Sequence, residues 1–150
     1  MKKITFYLLF LCLIAISCNK DSDGGNYFRF KINGEEREAS GLLAYATRFS
    51  DFLTIYGVFD ANGNETSYIS LPLNITEGDH QLNDGEHIAY YVDANDVAYS
   101  TLWGSGSGTV TIESISEKSV KGTFSFNVYD SDTETVKKTV TEGEFNVDFR

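Results

Sequence analysis

The nine residues at 120–128, Val-Lys-Gly-Thr-Phe-Ser-Phe-Asn-Val, leave this chain little choice of local structure. Val120, Gly122, Phe124, Phe126 and Val128 occupy every second position, and Lys121, Thr123, Ser125 and Asn127 lie between them. Strict alternation puts one set of side chains on each face of an extended strand, so this stretch reads as a half-buried β-strand. The segment before it repeats the pattern, with Val110 and Ile112 inward and Thr109, Thr111 and Glu113 outward. The intervening Ser116-Glu117-Lys118-Ser119 has room only for a turn. A long hairpin therefore organises the chain.

The rest of the sequence extends the pattern. Phe28, Phe30 and Ile32 alternate with Arg29 and Lys31, and Asn33-Gly34 follows, a strong hairpin signal. A less regular return passes Ser40-Gly41 towards a strand near residues 43–46. Leu53, Ile55, Gly57 and Phe59 share one face of the next strand, and residues 60–64 form its turn. Ile69, Leu71, Leu73 and Ile75 share a face of the partner strand. Pro72 lacks an amide donor and places that strand at an edge or a bulge. Further strands are expected at residues 88–92, 97–103, 136–141 and 145–149, with Phe145, Val147 and Phe149 inward. No stretch sustains a 3.6-residue period. The expectation is an all-β domain, a single antiparallel β-sandwich with a flattened β-barrel as the alternative. The 150 residues, rich in Phe and Tyr, suffice for one such core.

The N-terminus carries the information on location. Lys2 and Lys3 precede an apolar run at 4–16, too short for a comfortable membrane span and suited to a signal-peptide core. Ala15-Ile16-Ser17-Cys18 then gives way to polar residues. This arrangement resembles the lipobox of bacterial lipoproteins, which implies cleavage before Cys18 and lipidation of its thiol. Two or more acyl chains hold a protein stably on a bilayer. The expected organisation is a signal peptide at 1–17, a lipidated Cys and flexible tether at 18–26, and the β-domain at 27–150. Cleavage removes Lys2, Lys3 and Cys12, so the mature chain is more acidic and its only cysteine is Cys18. Asn19 is not the Asp that resembles an inner-membrane retention signal, and Lys20-Asp21-Ser22-Asp23 resembles the export signals of Bacteroidota-type surface lipoproteins. The outer membrane, facing the cell surface, is the expected location; a periplasm-facing anchor is the alternative.

The net charge of −10 repels phosphate backbones and argues against a nucleic-acid partner. No cofactor or metal is expected. Gly104-Ser105-Gly106-Ser107-Gly108 leads into a strand and lacks the lysine of a phosphate loop. Asp60, Asn62 and Asn64 have the opening spacing of a calcium loop, but Glu65 and Leu71 stand where Gly and Glu are needed. His80 and His87, the only histidines, lie in apparent turn segments without zinc-ligand spacing, and no Gly-x-Ser-x-Gly elbow is present. These readings favour a non-catalytic module. Tyr90, Tyr91, Tyr99 and Trp103 cluster on neighbouring strands, and exposed aromatics stack on sugars or pack on partners. Tyr91, Tyr99 and Trp103 are the candidate ligand-facing residues.

Four motifs carry a wider resemblance: Ile32-Asn33-Gly34, Gly106-Ser107-Gly108-Thr109-Val110-Thr111-Ile112, Gly122-Thr123-Phe124-Ser125-Phe126 and Gly143-Glu144-Phe145. With Tyr99-Ser100-Thr101, they resemble the uncharacterised Bacteroidota-type surface lipoproteins that carry a small all-β domain of unknown function. The resemblance spans most of the mature chain and brings no catalytic residue with it. The expected role is an extracellular binding or interaction module for a glycan, peptide or protein partner. A small secreted hydrolase or inhibitor with a loop-built site is the alternative.

Overall fold

The structure is a computed structural model that describes residues 25–130 and 137–150. The organising hairpin forms as the alternation requires. Strand β9 (Ser107–Ile115) turns at Ser116 into β10 (Ser119–Asp130), and Val120, Phe124, Phe126 and Val128 are all buried. The longest partner of β10 is β11 (Lys137–Asp148), which lies antiparallel along its other side.

The remaining strands are β1 (Tyr27–Ile32), β2 (Glu35–Ser40), β3 (Ala44–Phe49), β4 (Phe52–Val58), β5 (Thr66–Pro72), β6 (Gly78–Gln81), β7 (Ile88–Val92) and β8 (Ala98–Ser100). All belong to one sheet, ordered β2-β1-β11-β10-β8-β7-β5-β4-β3, with β6 on β9 and β9 on β10 as a branch. Every pairing between strands is antiparallel. The all-β expectation holds, and the single coiled sheet has the form of a nearly closed barrel.

Closure comes from a short connection. A single 3-10 turn, Gly41–Leu43, carries the chain from β2 at one end of the sheet order to β3 at the other. Ala46 then bridges Phe149 in parallel, and the Arg150 amide donates to the Ala46 carbonyl at 2.9 Å. The β1–β2 hairpin turns on Asn33-Gly34, both with positive φ (49° and 89°), a conformation that Asn and Gly adopt most readily. The edge strand β2 carries Glu35, Glu36, Arg37 and Glu38, charges that discourage pairing with another chain.

The core is aromatic. Phe28 lies 4.9 Å from Phe124 between ring centroids, Phe30 packs edge-on against Phe28, and Phe124 stacks on Phe126 and Phe145. Burying each such ring is worth about 1.5–3 kcal/mol.

Three details differ from the sequence reading. Residues 137–148 form one strand: a bulge at Glu142-Gly143 (Glu142 φ 53°) leaves Thr141 and Glu142 both exposed and resets the alternation. Strand β5 ends at Pro72, so Leu73 leaves the inward row and is exposed. Pro72 is neither on an edge strand nor at a bulge. It pairs with Phe52 on one side and lies beyond the last β7 partner, Ile88, on the other, where its missing donor is tolerated.

Candidate functional site

The alternation that fills the core also fixes what faces solvent. In β3, β4, β5 and β7 the outward positions are Tyr45, Thr47 and Phe49; Phe52, Thr54, Tyr56 and Val58; Thr66, Tyr68, Ser70 and Pro72; and Ile88, Tyr90 and Val92. None is charged, in a chain with a net charge of −10.

The strand register lines up one row of this face. Tyr45 opposes Tyr56, Tyr56 opposes Tyr68, and Tyr68 opposes Tyr90. Their ring centroids are separated by 5.0, 5.6 and 4.7 Å, with interplanar angles of 20°, 36° and 17°. Trp103 extends the row, edge-on to Tyr90 at 5.8 Å, and the Arg150 guanidinium covers Tyr45 at 4.2 Å. The result is a ladder of five rings running across four strands.

Its geometry follows from strand spacing. Neighbouring strands lie about 4.7–4.9 Å apart, whereas stacked carbons touch at about 3.5–4.0 Å. Near-parallel rings anchored at that spacing must tilt and slide to touch, so they overlap like roof tiles. Each ring is half-buried by its neighbour and leaves part of its surface to solvent. Each aromatic pair adds about 0.5–1.5 kcal/mol beyond area burial. Tyr68, in the middle, has its hydroxyl pKa pushed from 10 to about 12, first by burial and then by the neighbouring Tyr90 and Tyr56 phenols. A parallel row of hydroxyl and methyl groups, Thr47, Thr54, Ser70 and Ile88, runs beside the ladder.

The structure corrects two of the three aromatic candidates. Tyr91 and Tyr99 point inward and are 3% and 5% exposed. Tyr91 follows Tyr90 in β7, so the outward place belongs to Tyr90. Trp103 stays at the surface, half-buried at the end of the row. Tyr45, Tyr56 and Tyr68 were missed. The outward phase of Tyr56 and Tyr68 was legible from the inward Leu53, Ile55, Ile69 and Leu71, but the register that stacks them was not. Cys18 lies outside the described residues.

The inward tyrosines serve a polar cluster. The Tyr91 hydroxyl donates to Glu65 at 2.5 Å, and Arg37 Nε donates to the same carboxylate oxygen at 2.6 Å. Beside them Lys138 donates to Asp93 at 2.9 Å and lies over the Tyr99 ring at 4.3 Å, while the Tyr99 hydroxyl donates to Asp93 at 3.3 Å. Burial opposes the charges of this second pair. Even so, donors from Lys138 and from the Asn95 and Val97 amides hold Asp93 below its usual pKa, and Asp93 with Tyr99 holds Lys138 above its own. Asp93 is thus engaged by its neighbours. Asp60 likewise accepts the Asn64 amide at 2.8 Å within its turn.

His80 lies in β6, and His87 comes from the loop before β7. The two rings stack at 5.4 Å, with His80 Nε2 donating to the Thr76 carbonyl and His87 Nδ1 to Asp84, each at 2.8 Å. Sequence spacing gave no sign of this meeting. Among the described residues no three His, Cys, Asp or Glu side chains form a group that could hold a metal ion. The glycine-rich stretch does lead into a strand, and a Cβ on Gly108 would lie 2.5 Å from that of Phe126. On β1, β2 and β11 the outer face is charged: Arg29 binds Glu144 at 2.7 Å and Lys31 binds Glu142 at 2.6 Å beside a depression of about 250 Å³ that Glu36 and Glu38 also line.

A family model for a domain of unknown function, DUF6252, matches residues 26–147, which is nearly the whole described sheet. The chain belongs to the DUF6252 family. No curated protein and no solved structure matches it. What this DUF6252 domain does must therefore be read from its own surface, and the tyrosine ladder is the most differentiated part of that surface.

Proposed function

We propose that this DUF6252 protein is a lipid-anchored, non-catalytic binding module, held at the outer membrane surface through Cys18 and presenting its tyrosine ladder to a neutral glycan. The observation that carries this reading is the ladder on a sheet face whose strand positions carry no charge, with the Arg150 guanidinium over its first ring, in an otherwise acidic chain. Aromatic faces pack on the C–H faces of sugar rings, and the phenol, Thr and Ser hydroxyls bond to sugar hydroxyls without requiring charge on either side. An open row suits an extended chain better than a small molecule, which needs a concave pocket. The apolar run ending at Ala15-Ile16-Ser17-Cys18 supports the anchor.

The test is a neutral-glycan array with the purified protein, followed by Tyr56→Ala and Tyr68→Ala. Binding should weaken about tenfold or more in each, the loss of a ring contact worth about 1.4 kcal/mol, and should be unchanged in Tyr91→Phe. Binding indifferent to both ladder substitutions, or turnover of a glycan that disappears in His80→Ala, overturns the reading. Cys18→Ser should release the protein from the membrane fraction.

A further inference from the structure

A second exposed feature lies on the same sheet face, beyond the ladder. Phe49 and Phe52 oppose each other at the tip of the β3–β4 hairpin and are 83% and 44% exposed. Leu73, 42% exposed, is tied to the same tip by its amide, which donates to the Asp51 carbonyl at 2.9 Å. Apolar side chains this open at one hairpin tip form a patch that calls for a partner.

The path of the chain indicates which partner. Asn26, just before β1, accepts the Asp148 amide through Oδ1 at 3.3 Å. Asp148 opposes Ser119 at the β9–β10 turn. Arg48 reaches that same turn from β3 and donates to the Ser116 and Glu117 carbonyls at 2.7 and 3.1 Å. Phe49 is the next residue. The point where the chain enters the domain and the apolar tip therefore flank one turn. From Cys18 to Asn26 is eight residues, a reach of about 26–29 Å when extended.

We infer that the Phe49–Phe52 tip, with Leu73, is seated in the headgroup region of the bilayer that holds the lipid anchor. The inference rests on the reading of Cys18 as the anchored residue. The tip has the chemistry for this place: two aromatic rings and a leucine enter the interface, while Asp51 between the rings limits the depth to the headgroups. Arg48 ties the tip to the shared turn, where Lys118 is an exposed cation for lipid phosphates. The tether supplies a high local concentration of membrane, so a small patch suffices.

The experiment uses the lipidated full chain in phosphatidylcholine vesicles. Phe49→Trp places an indole at the tip, and bromine on the first acyl carbons, directly beneath the headgroups, quenches an indole seated at that boundary. The added emission should shift blue and be quenched in brominated vesicles, whereas the emission of Trp103 in the unsubstituted protein should not. Phe49→Ser with Phe52→Ser should transfer between vesicles about tenfold faster, since each lost ring removes part of its burial. Vesicle-bound Phe49→Trp protein whose added emission ignores the bromine overturns the inference and leaves the anchor standing. Emission that instead follows protein concentration at constant lipid assigns the tip to a second copy and also overturns it. A chain that does not bind vesicles removes both the anchor and the seat.

Discussion

Arg37 and Glu65 meet at 2.6 Å, joining the edge strand β2 to the residue just before β5. The same Glu65 oxygen accepts the hydroxyl of buried Tyr91. Removing the carboxylate leaves the Tyr91 phenol without its partner in a largely buried setting, and leaves Arg37 only the exposed Glu35 carboxylate and the Glu36 carbonyl. Glu65→Ala should therefore cost on the order of 2–3 kcal/mol in urea melts. Glu144→Ala breaks only the exposed pair with Arg29 and should cost less than about 1 kcal/mol. Equal losses would mean that the Glu65 cluster is as wet as the surface.

The Asp93–Lys138 pair makes stability depend on pH at both ends. Asp93 is held below its usual 3.8, so its contribution is complete above that value and is lost as pH falls through the lower folded pKa. Lys138 is held above its usual 10.5, so its contribution is complete below that value and is lost as pH rises through the higher folded pKa. Asp93→Asn should flatten the acid limb of a plot of Tm against pH. An unchanged acid limb would assign that limb to other carboxylates.

The ladder has its own alkaline limit. The Tyr68 hydroxyl titrates near 12 in the folded protein and near 10 when free. Its contribution is complete below pH 10 and is lost as pH rises through 12, because the unfolded chain ionises first. Ultraviolet titration should show a phenol ionising near 12 that disappears in Tyr68→Phe, while Tyr91, raised further by burial and by Glu65, still ionises late, together with a shallower alkaline loss of Tm.

Phe124 tests the register of the central hairpin. Phe124→Ala should cost about 3–5 kcal/mol, and Ser125→Ala, on the opposite face, should stay within about 0.5 kcal/mol. Across the pair, a Cβ on Gly143 would stand 2.5 Å from the Phe124 ring and 2.6 Å from its carbonyl oxygen. Gly143→Ala should cost about 1–3 kcal/mol through overpacking. Similar melting temperatures for all three variants would contradict the register.

What the sequence could show follows from which interactions are local. Period-two alternation is local, and it placed Phe28, Phe30, Val110, Ile112 and the whole inward row of β10 correctly. It failed where one residue is inserted: the bulge at Glu142-Gly143 shifts the phase, and Gly143, which marks the place, reads equally as a break between two strands. Side-chain direction within β7 was half legible. Tyr90 and Tyr91 had to oppose each other, but choosing the inward one required knowing that Glu65, 26 residues earlier, supplies a partner for a buried hydroxyl. The ladder needs the register of three strand pairs at once, and no single strand encodes that. The His80–His87 stack likewise depends on β6 pairing with the distant β9.

The end of the ladder also makes the protein its own optical sensor. Trp103 is the only tryptophan of the chain, and it sits against the last of four stacked phenols. Light absorbed by any of these tyrosines can be handed from ring to ring and emitted by the one indole. A molecule laid along the row alters the overlap of neighbouring chromophores, so its arrival is reported at a single wavelength without any label.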